Sequence, residues 1–211
     1  MNRVLVISPH PDDETIGCGG TLRKHILSGD IVHVVFLTSG ESGGHGLSPE
    51  ETIKVREKEA QVASAILGIT NIQFWRLKDG KCRATRNVID KVRSKLKQFK
   101  PNFIYVPHNK ETHFDHRAPA RIVRRALKNS KSNKNKTSVY MFEVWTPLQR
   151  IDHIEEISPY IEKKLEAIRA YKTQCNVMGF EEAFKGLARY RGVMHSWYGS
   201  KYAEVFEKLE L

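Results

Sequence analysis

Residues 3–8, Arg-Val-Leu-Val-Ile-Ser, lead straight into Pro9-His10-Pro11-Asp12-Asp13-Glu14. The first six are a short apolar run of the kind that fills a parallel strand buried on both faces. The next six place one imidazole and three carboxylates within five residues. Pro9 and Pro11 stiffen this turn and keep it from continuing as helix. A buried strand ending on a charged turn is the opening unit of an α/β sheet.

Working outward, the pattern repeats. Gly19-Gly20-Thr21-Leu22 opens a helical stretch that stops near Ser28-Gly29-Asp30, and 31–38 (Ile-Val-His-Val-Val-Phe-Leu-Thr) is a second strand. Ser48-Pro49-Glu50-Glu51 is a helix start, with Ser48 as N-cap, Pro49 at the first position and Glu51 closing a capping box. That helix runs to Leu67, where Gly68 stops it. Residues 71–77 form a third strand, 85–99 a helix and 102–106 a fourth strand. A helix begins near Arg117, and 138–144 is a fifth strand. Alternating strands and helices imply right-handed βαβ units. The expected fold is therefore a Rossmann-like three-layer α/β sandwich with a mostly parallel central sheet. After Trp145 the pattern turns helical and aromatic-rich, over 158–171 and about 179–195. No repeat or linker divides the chain, so 1–211 is read as one domain, with 129–137 as the best candidate for a mobile surface loop.

Composition narrows the class. The chain has 211 residues, 40% hydrophobic and 28% charged, as in globular domains. No segment approaches the roughly 20 apolar residues of a membrane helix, and the run 4–7 is too short for a signal peptide, so a cytoplasmic setting is expected. Cys18, Cys82 and Cys175 are scattered and form no CxxC pair, which argues against a disulfide framework or a cysteine zinc site. The net charge of +11 is concentrated in 91–97 and 121–136. Those segments lack interleaved aromatics and match no nucleic-acid motif, so they read as solvated surface and no nucleic acid is expected as a partner.

Three carboxylates crowded beside a histidine repel one another unless a cation is present. A histidine and a carboxylate suit zinc, and a catalytic zinc takes three protein ligands with one position open. His113-Phe114-Asp115-His116 offers the third. In open α/β sheets ligands bind outside the carboxyl ends of the strands. Segments 9–20, 39–47 and 107–117 should therefore open onto one sheet edge, and the first and last carry the two clusters. Each cluster alone has a plainer reading, a helix start for the first and a polar loop for the second.

Pro-His-Pro-Asp-Asp-Glu, then Gly17-Cys18-Gly19-Gly20-Thr21, then His-x-Asp-His resemble the PIG-L/LmbE-like zinc deacetylases. These act on N-acetylglucosaminyl-phosphatidylinositol, chitobiose, antibiotic sugars and precursors of mycothiol and bacillithiol. The likeness extends from the first strand to about Ala118, including Thr38-Ser39-Gly40-Glu41 and Arg56-Glu57-x-Glu59-Ala60. It is weaker afterwards, although 202–206 resembles the usual ending. The resemblance implies hydrolysis of the acetamide of an N-acetylated, glucosamine-type sugar. It implies His10, Asp13 and His116 as ligands of Zn²⁺, with Fe²⁺ also suited to such a set. Asp12 takes the general-base position, and a protonated His113 the oxyanion-stabilising one. Asp115 is expected to orient a histidine, and Glu14 to support the site or contact substrate. Arg56 is either a substrate contact or a surface arginine pairing with Glu57 or Glu59. A homo-oligomer is compatible with the family. An amidase cleaving a larger acyl or thiol conjugate would use the same residues. A basic nucleic-acid-binding module with a structural metal should show four protein ligands.

Gly17-Cys18-Gly19-Gly20 lacks the lysine and spacing of a phosphate loop and is read as a place of close packing. His45 is read as an exposed loop residue, and Trp145, Trp197 and Tyr198 as core or interface aromatics ahead of sugar-stacking ones.

Overall fold

The first strand, β1 (Arg3–Ser8), buries side chains to both sides, and the rest of the molecule is arranged on those two faces. The computed structural model describes residues 1–128, 137–195 and 200–211. Beyond β1 the chain forms α1 (Asp13–Leu27), β2 (Ile31–Phe36), α2 (Pro49–Leu67), β3 (Asn71–Phe74), α3 (Arg86–Phe99), β4 (Phe103–Pro107), α4 (Ala118–Leu127) and β5 (Ser138–Phe142). It ends with β6 (His153–Glu156), α5 (Ile161–Arg169), α6 (Lys172–Cys175), α7 (Phe180–His195) and β7 (Ala203–Lys208). The strands form one sheet of order β3-β2-β1-β4-β5-β7-β6. The first five are parallel, and β7 and β6 add antiparallel.

Alternation along β1 sorts the core. Val4 and Val6 face one layer with residues of α1, α2 and α5. Leu5 and Ile7 face the other, with Val92 and Leu96 of α3 and Ile122 and Val123 of α4. This is the three-layer sandwich the apolar runs imply. Among the described residues no helix is long and apolar enough to cross a membrane.

The start of α2 matches its sequence signature. Ser48 Oγ accepts from the Glu51 amide, Glu51 accepts from the Ser48 amide, and Gly68 stops the helix at φ 85°. Other boundaries moved. The regular third strand ends at Phe74 because Arg76, at φ 53°, breaks the ladder register, although the Leu77 amide still donates to the Leu37 carbonyl. The first helix begins at Asp13, six residues before the glycine pair, and is kinked at Cys18. A buried pair holds the kink. The Glu204 carboxylate accepts from the amides of Gly20 (2.9 Å) and Thr21 (2.7 Å), restarting the helix. Lys164 Nζ donates to Glu204 and to the freed carbonyl of Ile16, both at 2.7 Å. Close packing explains two of the glycines, since a Cβ on Gly17 would sit 2.0 Å from the Phe142 ring and one on Gly20 2.7 Å from Ile157.

The helical reading of the C-terminal third holds for α5 and α7 and misses β6 and β7. Residues 129–136 of the expected surface loop, with Trp197 and Tyr198, lie outside the described residues.

Candidate active site

Strand order reverses at β1, with β2 and β3 to one side and β4 and β5 to the other. The crevice at such a switch point lies outside the carboxyl ends of the central strands. Here it is a cavity of about 250 Å³ whose walls include His10, Asp12, Asp13, Arg56, His113 and His116. The two clusters, 106 residues apart at their histidines, meet there.

His10 Nδ1 stands 3.2 Å from His116 Nε2. Asp13 closes the triangle, Oδ2 lying 3.2 Å from His10 Nδ1 and Oδ1 3.3 Å from His116 Nε2. The far nitrogen of His10, Nε2, lies 2.9 Å from Asp79 Oδ1. A proton held there leaves Nδ1 with a bare lone pair. His116 Nδ1 is buried without a hydrogen-bond partner among the described residues, and Glu111 Oε2 is 3.7 Å away. A proton facing Glu111 likewise leaves Nε2 bare. Two lone pairs and a carboxylate then converge, a repulsion that either a proton on His10 Nδ1 or a metal ion relieves. Four ligands at about 2.0 Å around a tetrahedral zinc lie about 3.3 Å apart. The observed edges fit that ion.

Among the described residues, two further groups have ligand atoms within 4.8 Å of one another: His10 with His113 and His116, which shares two corners with the triangle, and His10 with Asp79 and Asp115. The second surrounds His10 Nε2, whose partner is a proton shared with Asp79, so it reads as a hydrogen-bonded shell. Burial opposes a charge on His10, yet hydrogen bonds to Asp115, Asp13 and Asp79 together hold its imidazole well above the usual range. Burial likewise acts against ionised Asp13, and His116 and His10 overcome it, keeping that carboxylate charged.

Asp12 adopts φ 125°, ψ −38°, a region an L residue enters at a cost of roughly 1–3 kcal/mol. Arg56 holds it there. The guanidinium donates from Nη2 to Asp12 Oδ2 (3.0 Å) and to the Pro11 carbonyl (2.8 Å), and from Nη1 to the Gly40 carbonyl (3.0 Å). Arg56 is thus neither exposed nor paired with Glu57 or Glu59. It is buried in the cavity wall, while Glu57 binds Arg76 and Glu59 accepts from Thr173. Burial pushes the Asp12 carboxyl up to about 7 against the opposing pull of Arg56.

His113 faces the cavity, its ring centroid 4.7 Å from that of His116. Burial, and after it the neighbouring His116 and His10, lower its pKa, which runs against the protonated form the family resemblance implies. The Asp115 amide donates to His113 Nδ1 at 3.3 Å, which leaves the remaining proton on Nε2 as a donor. Asp115 is fully buried behind the site. Its oxygens accept from the amides of Gly80 (2.7 Å) and Cys82 (3.0 Å), and Oδ2 comes within 3.5 Å of His10 Nε2. It is placed to orient, not to touch substrate. Glu14 is not in the cavity wall either. It is buried, accepting from Tyr171 Oη (2.5 Å), Thr15 Oγ1 (2.6 Å) and the Asp12 amide (3.2 Å), and so braces the turn from beneath.

Asp79 and Glu111 went unseen in the sequence. Lys78-Asp79-Gly80 follows β3 and so lies at the same sheet edge, the one signal that would have flagged Asp79. Glu111 sits two residues before His113 in the segment already singled out. His45 lines the cavity rim and is exposed. Trp145, expected as packing, is 52% exposed on the cavity wall.

The description "PIG-L: GlcNAc-PI de-N-acetylase" matches residues 5–127. The chain is 29% identical over 191 residues to a probable N-acetyl-alpha-D-glucosaminyl L-malate deacetylase 2 of Bacillus anthracis, covering 81% of this chain and 80% of that one. It is 28% identical over 208 residues to a 4-oxalmesaconate hydratase of Pseudomonas putida, covering 90% and 79%. The structure superposes on the N,N'-diacetylchitobiose deacetylase of Pyrococcus horikoshii with a TM-score of 0.85 at 25% identity, covering 98% of this chain and 83% of that chain.

Proposed function

From the premise that this chain belongs to the PIG-L family of GlcNAc-PI de-N-acetylases, we propose that it hydrolyses the acetamide of an N-acetylated, glucosamine-type sugar. His10, Asp13 and His116 would hold one divalent metal ion, zinc by the fit of the triangle. The observation that carries this reading is that triangle with the raised carboxyl of Asp12 beside it.

Bound there, the ion supplies acidification of a water molecule and polarisation of the acetamide carbonyl. The chain's own groups do the rest. Asp12, held at the cavity wall beside the triangle, accepts the proton of the attacking water. Arg56 fixes its carboxylate in one orientation. His113 Nε2–H donates to the carbonyl oxygen as negative charge gathers on it, a contribution of about 3 kcal/mol for one well-placed donor. When the C–N bond breaks, the proton on Asp12 passes to the departing nitrogen, and acetate and free amine leave. Asp79, Asp115 and Glu111 act earlier, by fixing which histidine nitrogen carries hydrogen.

Water addition, as named for the hydratase relative, would use the same activated water on a polycarboxylate. The cavity carries charges of both signs. Asp12, Asp13 and Asp79 line it, against Arg56 as the one Arg or Lys among its described lining residues, and Arg56 already serves Asp12. The two charges of a bound ion would offset those carboxylates, so family membership, not cavity charge, favours the acetamide. Free Cys18, Cys82 and Cys175 fit the reducing cytoplasm, which we assign as the compartment. The test is a panel of N-acetylated sugars incubated with the zinc-loaded protein. Equal release of acetate and primary amine is expected, and no release from any member would reject the reading.

A further inference from the structure

Among the described residues, Trp145 is the largest apolar side chain left open beside the reactive groups. Its ring centroid lies 6.2 Å from that of His113 and 6.0 Å from that of His116, about one sugar ring away from where the acetamide would sit. Exposed tryptophans are ordinary when scattered. This one is anchored. The fully buried carboxylate of Glu111 accepts from three consecutive amides, Val144 (2.8 Å), Trp145 (3.1 Å) and Thr146 (3.2 Å). His108 Nε2 lies 2.7 Å from the Thr146 carbonyl, and the Thr112 amide donates to Thr146 Oγ1. The backbone beneath the indole is therefore immobilised, while the indole itself stays half in solvent. A buried carboxylate is tolerated when it is paired and hydrogen-bonded, a condition these amides and His108, 3.2 Å away, meet. The same carboxylate faces His116 Nδ1, so one group sets both a ligand histidine and the indole.

We propose that Trp145 is a specificity-determining platform that stacks on the apolar C–H face of the pyranose carrying the acetamide; the proposal rests on the deacetylase reading above. A pyranose has two such faces and a rim of hydroxyls. The cavity offers the complement, with an indole for one face and Asp79, Ser42 and Gln174 within the lining for the rim. A rigid aromatic with two rotatable bonds loses little freedom on binding, and its backbone is already held. An acyclic N-acetyl amide offers no flat face and gains nothing from the indole.

The experiment compares wild type, Trp145→Ala and Trp145→Phe on N-acetylglucosamine and on acyclic N-acetylethanolamine. The platform predicts that alanine raises KM for the sugar about tenfold more than for the acyclic amide, with metal content retained and phenylalanine restoring most of the loss. An equal change for both substrates, or none, overturns it. Should the alanine variant fail to fold, tryptophan fluorescence decides. Glucosamine titrated into wild type should perturb the emission, and Trp145→Phe should abolish that change; persistence of the change in Trp145→Phe overturns the proposal. If no N-acetylated sugar is hydrolysed, the functional reading fails, and the fluorescence titration still reports on the platform separately.

Discussion

His10 Nδ1 and His116 Nε2 lie 3.2 Å apart, from loops that follow β1 and β4. Asp79 and Glu111 each face the opposite nitrogen of one of these rings. A separation that short between unprotonated nitrogens is comfortable only around a cation, and the carboxylate of Asp13 supplies charge for one. In the proposed reading this pair marks the point at which the chemistry is centred.

Removing one side of the triangle should remove the ion. His116→Ala leaves His10 and Asp13, and two ligands hold zinc far more weakly than three. We expect zinc affinity to fall at least 100-fold, read by competition with a chromophoric chelator. Affinity within a few-fold of wild type would mean that His116 is not a ligand.

Asp79 touches the ion only through His10. Asp79→Asn keeps the shape and loses the charge that favours the Nε2–H form of the ring. Outer partners of this kind are typically worth 10–100-fold in metal affinity, and a loss in that range is expected in the same competition assay. An unchanged value would show that the ring is held by other contacts.

The kink behind the site depends on a charge pair buried to about 3% side-chain exposure on each partner. Lys164→Met removes the cation, leaves Glu204 uncompensated and frees the Ile16 carbonyl. A broken buried pair costs about 3–5 kcal/mol, or roughly 6–20 °C in Tm for a chain of this size. Calorimetry of the metal-free protein should show it, and a loss below about 1 kcal/mol would remove the clamp from the account.

His33 gives a pH signature away from the metal. Burial, helped by Lys95 whose Nζ sits 3.1 Å from His33 Nε2, lowers its pKa to about 4. The unfolded chain takes up this proton near 6.5. Between those values the unfolded state binds the proton more readily, so stability falls as pH drops through 6.5, and the penalty is complete below 4. The ring is half-buried, so solvent screening keeps the effect to about 1–2 kcal/mol. His33→Gln should flatten urea-midpoint curves of metal-free protein over that window. Parallel curves for both proteins would contradict the assignment.

The buried strands and the capped helix were legible because their signals are local: an apolar run at β1, and Ser-Pro-Glu-Glu at α2 with its glycine stop. Placing both His/Asp clusters on one sheet edge needed only the strand–helix alternation. The edge strand β6 and its inner neighbour β7 were not legible, since His-Ile-Glu-Glu and Ala-Glu-Val-Phe-Glu-Lys are short and interleaved with charge. Their apolar residues make sense only against β5. The early start of α1 was hidden because Glu204, more than 180 residues away, supplies the cap for its second half. Asp79, Glu111 and the exposure of Trp145 depend on contacts between loops, which spacing does not encode. Glu14 and Asp115 look like site residues in the sequence, and only their hydrogen bonds to Tyr171 and to the 80–82 backbone turn them away from the cavity.

The central claim is that Asp12 activates water at an ion it does not itself hold. The direct measurement is zinc content and turnover on one sample of Asp12→Ala, beside wild type, with an N-acetylated sugar as substrate. We predict about one zinc per chain in both and turnover lowered about 100- to 10,000-fold in the variant. Full turnover with zinc retained would contradict the account.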